Sequence, residues 1–151
     1  MKIPSSNGFT LIEIVVVVAI VGLLASFAVP VYVQYVARAQ VADGVSLTHR
    51  VRAAVEEFVV DKGIFPASIA DLERYNVEFS SNYVASISLA PAAGTVVSGE
   101  VVTEFKNINV SQLIAGRRIS YFRSPEGDWS CQREGVGGTT LDQALLPKQC
   151  D

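Results

Sequence analysis

The 151-residue chain holds a single histidine, two cysteines, one methionine and one tryptophan, and no charged residue at all between Glu13 and Arg38. So few soft ligands leave no convincing zinc set, and the carboxylates Asp61, Asp71, Glu73 and Asp128 are scattered. Asp142 lies in a loop where it could ligate calcium, but no ligand spacing accompanies it. A glycine-rich phosphate loop and a serine nucleophile elbow are both missing, and Gly137-Gly138 reads as turn chemistry. No enzyme class and no cofactor is implied. A net charge of −3 argues against a polybasic nucleic-acid binder, as does a pI near 5.1. Half of the residues are apolar, which excludes disorder, and the length suits one ordinary domain without repeats or low-complexity linkers.

What is present is concentrated at the N-terminus. Mean hydropathy is +0.35, and most of the excess lies in the first forty residues. Ile14 to Val33 is uncharged and, as a helix, spans a bilayer core of about 30 Å. The β-branched run Ile14 to Val18 would favour a strand in water, whereas in lipid a single segment must satisfy its own backbone and so be helical. Gly22 and Pro30 weaken that helix locally, to a degree that membrane helices tolerate. A conventional secretory signal, with Lys2 as its basic end and Ser26-Phe27-Ala28 as a loose cut site, is the weaker reading. The run is long for such a core, Pro30 follows closely, and the helical pattern continues beyond the cut.

Glu13 stands out because Phe9, Leu11 and Ile12 enclose it on the side away from the apolar run. An unpaired carboxylate there is costly. The preceding MKIPSSNG is short and polar and ends in Gly8, which suits close approach by a processing enzyme. Cutting after Gly8 would create an α-amino group on Phe9, about 6 Å from Glu13 along a helix axis. That amine could meet its own Glu13 or that of a staggered neighbour.

Gly8-Phe9-Thr10-Leu11-Ile12-Glu13, followed by the long apolar run with Pro30, resembles the leader and N-terminal helix of type IV pilins and the related pseudopilins. The resemblance implies cleavage by a prepilin peptidase between Gly8 and Phe9, N-methylation of Phe9, and pairing of Glu13 with a neighbour's N-terminus. It further implies assembly through a platform and ATPase at the bacterial inner membrane into an extracellular helical homo-oligomer. Pairing two buried charges offsets most of the several kcal/mol that each costs alone, so Glu13 would fix axial register more than stability. Removal of residues 1–8 leaves 11 basic and 15 acidic side chains.

Past Arg38 the helical period persists. Ala37, Val41, Gly44, Val45, Thr48, Val51, Val55, Phe58 and Val59 form one stripe, opposite Asp43, Ser46, His49, Arg50, Glu56 and Glu57. Asp61-Lys62-Gly63 should end a helix which, if continuous from Phe9, is about 78 Å long. A short helical turn is predicted over 66–74, and strands over 83–89, 95–105, 117–123 and 128–131, with Gly99 a turn or bulge and Ser124-Pro125-Glu126-Gly127 a hairpin turn. His49 reads as a solvated surface residue. The expected fold is α+β: a long N-terminal helix, half transmembrane and half packed on the head, with an antiparallel sheet of about four strands and a C-terminal disulfide-bounded loop. The expected segments are the leader 1–8, the transmembrane half 9–36, the amphipathic half 37–60, a connection 61–78 and the sheet with its loop 79–151.

In the cytoplasm Cys131 and Cys150 would more often be unrelated thiols; in an exported head a structural bridge is the better reading. W-x-C followed near the terminus by A-L-L-P-x-x-C is similar to the disulfide-bounded loop of type IVa pilins and favours a pilin over a general-secretion pseudopilin. Residues 61–125 carry none of these motifs. Arg117, Arg118, Arg123 and Arg133, with Tyr121, Phe122 and Trp129 nearby, could form a basic strip for DNA, but a solvated sheet surface is the simpler reading. Contact with DNA or a host surface therefore has no support in the residues. The rivals are a minor pilin that primes or caps the filament and a membrane-anchored periplasmic binding module.

Overall fold

The computed structural model describes residues 8–131 and 138–150. The chain divides into two compact units, Met1–Val33 and Gln34–Asp151. Helix α1 (Leu11–Lys62) contributes to both.

In the first unit every described residue is exposed, including the whole apolar run. Helix α1 is long and apolar enough to cross a membrane, and its helical assignment continues through Pro30.

The second unit packs the remainder of α1 against an antiparallel meander: β1 (Val84–Pro91), β2 (Gly99–Phe105), β3 (Arg118–Arg123) and β4 (Trp129–Cys131), in that spatial order. The buried face of α1 carries Ala37, Val41, Gly44, Thr48, Val51, Val55, Phe58 and Val59 of the expected stripe, whose Val45 is only half-buried, and Gln40, Leu47 and Ala54 are added. These side chains meet Val84, Val101, Phe105, Ile119 and Tyr121 in one core. Helix and sheet approach closely at Gly44, where a Cβ would lie 2.6 Å from Phe105 Cε1. One turn on, Thr48 donates to or accepts from Thr103 at 2.6 Å, so two buried hydroxyls satisfy each other. The helix stops where the sequence places its end. Gly63 adopts φ +69° and its N–H reaches the Val59 carbonyl.

The short turn is a 3-10 helix, Ile69–Tyr75, closed by a reciprocal Ser68–Asp71 capping box. The strands follow the expectation apart from residues 95–98, which belong to the β1–β2 loop. Gly99 is neither turn nor bulge: it begins β2, paired with Pro91 and Arg123, and the Phe65 ring takes the space of a side chain, since a Cβ would fall 2.5 Å from its Cε1. The predicted hairpin turn forms, with Gly127 at φ +94° and Ser124 N–H donating to the Asp128 carbonyl. Strand β4 covers only Tyr121 to Arg123 of β3. Residues 139–141 cover the rest: Thr140 and Leu141 N–H donate to the Arg118 carbonyl, and the Thr139 and Thr140 hydroxyls accept from Ser120 and Arg118 N–H.

Candidate functional site

At the start of α1 the sequence T-x-x-E forms a capping box. The Glu13 carboxylate Oε2 accepts from Thr10 N–H at 2.8 Å and from its hydroxyl at 2.7 Å, while Thr10 Oγ1 accepts from Glu13 N–H at 3.3 Å. This local role was legible in the spacing and was not among the expectations above. It orients the acid without using it up, since among the described residues Oε1 has no partner. Phe9, Leu11 and Ile12 are largely exposed beside it. Gly22 has open space where a side chain would stand, and Pro30 lies within the helix. An uninterrupted apolar surface with one oriented carboxylate at its head has two unmet needs: cover for the surface and a cation for the acid.

Cys131 and Cys150 are bonded, with their Cα atoms 5.0 Å apart. Cys150 is buried and its Sγ lies 3.7 Å from the Tyr121 hydroxyl of β3, so the bridge fastens the terminal segment to β4, the neighbour of the strand whose edge residues 139–141 cover.

The proposed basic strip does not form. Tyr121 and Arg123 face inward and are buried. Arg123 donates from Nε and Nη2 to the two Glu56 oxygens, each at 2.9 Å, and from Nη1 to the Val97 carbonyl. Trp129 Nε1 donates to Glu56 at 2.6 Å. Arg52 lies between the rings of Tyr121 and Trp129, 4.9 and 4.6 Å from their centroids. Glu56, expected on the solvated face, is thus the acceptor of a clamp joining α1 to the β3–β4 hairpin. Burial pushes the Glu56 carboxyl pKa up, but hydrogen bonds from Arg123 and Trp129 and the two guanidinium charges outweigh it and hold the group below its ordinary value. Sequence alone missed this pair because its partners are 67 residues apart. Of the remaining strip, Arg117 is exposed and Arg118 half-buried, and Arg133 lies outside the described residues.

His49 is exposed on α1, its ring edge-on to Tyr121; burial, then the Arg52 charge, keep its pKa low. Asp61 pairs with Lys62 and Arg74. Among the described residues no His, Cys, Asp or Glu group could hold a metal.

A helix with an exposed apolar half and a sheet head closed by a terminal disulfide define a subunit built for assembly. Residues 37–151 match the family model for pilin, described as a bacterial filament, and residues 3–29 match the prokaryotic N-terminal methylation motif. The chain is 33% identical to the fimbrial protein EcpC of Eikenella corrodens, over 95% of this chain and 90% of that protein. It is 30% identical to a type IV major fimbrial protein, FimA, of Dichelobacter nodosus, over 95% of this chain and 96% of the relative. A type IV major pilin protein of Neisseria gonorrhoeae is 32% identical, with 96% and 69% covered. The chain belongs to the type IV pilin family. It is a structural subunit of a pilus filament and not an enzyme.

Proposed function

We propose that this chain is the main subunit of its filament, made as an inner-membrane precursor and assembled into an extracellular fibre that serves adhesion, twitching motility or DNA uptake. Residues 1–8 are the leader. A prepilin peptidase cuts between Gly8 and Phe9 and the new Phe9 amine is methylated; an assembly platform and its ATPase then extract the subunit. Segment 9–36 is the assembly half of the helix, with Gly22 and Pro30 giving it local pliancy, and 37–60 is the half that carries the head.

The observation that carries this reading is Glu13, an acid surrounded by apolar residues and oriented by Thr10 at the start of an exposed helix. In the filament its free oxygen receives the Phe9 ammonium of an adjoining copy, which removes two unpaired charges from an apolar setting and sets the stagger between subunits. The relatives named as major pilin and major fimbrial proteins support the main-subunit reading.

Mass spectrometry of protein sheared from the cell surface tests it. A dominant chain starting at methylated Phe9 is expected. A trace amount would indicate a minor pilin, an intact Met1 a plain membrane anchor, and a start at Val29 ordinary secretion.

A further inference from the structure

A cavity of 210 Å³ opens on the head between α1 and the terminal segment, lined by Gln34, Arg38, Leu113, Arg117 and Asp142 among others. Its position in the chain is informative. The uncharged run ends at Val33, Gln34 follows it, and Arg38 lies one helical turn later. The polar headgroup layer adds roughly 5–7 Å to each side of the hydrocarbon core. The helix rises about 1.5 Å from Val33 to Gln34 and about 7.5 Å to Arg38, so when the run spans the membrane Gln34 falls within that layer and Arg38 at its outer edge, within reach of it by its long side chain.

The lining has the matching chemistry. Arg38 is exposed and makes no ion pair among the described residues, and Arg117 uses one guanidinium nitrogen on the Thr140 carbonyl at 3.0 Å. The opposing charge is Asp142, one oxygen of which accepts from Ala144 N–H. Two cations against one anion leave a net positive site. The loop between β2 and β3 is tied to α1 by Ser111 N–H on Gln40 Oε1, and it exposes Leu113 at 41% and Ile108 at 73%. Leu113 shares the cavity with the two arginines, and an apolar side chain beside cations is the composition of a surface that rests in a lipid interface.

We propose that in the membrane-inserted precursor this cavity holds the phosphodiester headgroup of one anionic phospholipid, gripped by Arg38 and Arg117. The contact is released when the subunit leaves the membrane. The inference rests on the membrane-precursor reading above.

The test is native mass spectrometry of the full chain in detergent micelles, titrated with phosphatidylglycerol or phosphatidylcholine. The first phosphatidylglycerol should bind about tenfold more tightly than phosphatidylcholine, because two surface cations each contribute about fivefold and Asp142 opposes them. Arg38→Gln and Arg117→Gln should each weaken it about fivefold, Asp142→Asn should tighten it, and Arg50→Gln, an equal loss of charge elsewhere on α1, should leave it unchanged. Arg38 carries no structural hydrogen bond among the described residues, so its variant decides the matter even if the Arg117 variant folds poorly. Equal retention of the two lipids would overturn the proposal, as would equal losses in Arg38→Gln and Arg50→Gln. Displacement by millimolar inorganic phosphate would also overturn it, by making this a site for a free anion. A chain that stays dispersed once detergent is removed would refute the membrane reading itself, whereas one that needs detergent but ignores headgroup charge sinks only this proposal.

Discussion

Replacing Glu56 by alanine should be the most damaging single change on the polar side of α1. It removes both acceptors of the Arg123 fork, at 2.9 Å each, and the Trp129 Nε1 acceptor at 2.6 Å. The Arg123 side chain is only 9% exposed, so its charge would be left largely without compensation. Breaking a buried pair from one side costs about 3–5 kcal/mol. The Glu56 side chain is 37% exposed, so water can enter and the cost falls to about 2–3 kcal/mol. For a head of this size that lowers the melting midpoint by about 10 °C. The protein reports on itself, because Trp129 is its single tryptophan and sits in the clamp. Tryptophan fluorescence of the full chain in detergent, recorded against temperature, reads the loss directly. Acid adds a second signature. The Glu56 pKa is lowered in the folded head, so its stabilisation is complete above the ordinary value of 4.5 and disappears as pH falls through the lower folded value. The gap between wild type and Glu56→Ala should therefore close in acid. A midpoint within about 2 °C of wild type at neutral pH, or a gap independent of pH, would refute this account of the clamp.

Other changes separate the head from the assembly surface. Gly44→Ala drives a methyl group to 2.6 Å from the buried Phe105 ring; overpacking at about 1–3 kcal/mol should exceed the roughly 1 kcal/mol gained in helix propensity and lower the midpoint, and a rise would show that the ring has room to move. Cys131→Ser opens the bridge that holds the β3 edge cover, with an expected loss of roughly 3 kcal/mol and a lower fibre yield, while far-UV circular dichroism should still show a helical α1. An unchanged melting midpoint would contradict that. Glu13→Ala, expressed without the wild-type subunit, should leave the head folded and the chain in the membrane but impair filament formation; normal filaments on electron micrographs would count against the assembly role. Thr10→Ala keeps the carboxylate and loses only its orientation, so filaments should form in reduced amount.

The parts of the fold that sequence exposes are those set by local physics. The stripe on α1, its stop at Gly63 and the Ser124–Gly127 turn each follow from residues close together in the chain. What escaped depends on distant partners. Glu56 looks solvated until Arg123 arrives from β3, and Gln40 looks out of place in an apolar stripe until Ser111 N–H is found on its side-chain oxygen. Residues 95–98 have strand-like composition, yet they lie in the β1–β2 loop, where the Val96 carbonyl accepts from the distant Phe65 N–H. At the assembly end the apolar run and the acid were plain, whereas the Thr10 partnership was legible from spacing alone but overshadowed by the acid's apolar surroundings.

Electron cryo-microscopy of the assembled filament tests the central claim most directly. Chains should begin at Phe9, with its amino nitrogen within about 4 Å of a Glu13 carboxylate oxygen on an adjoining copy. Filaments in which Glu13 faces no ammonium, or in which residues 1–8 remain attached, would contradict it.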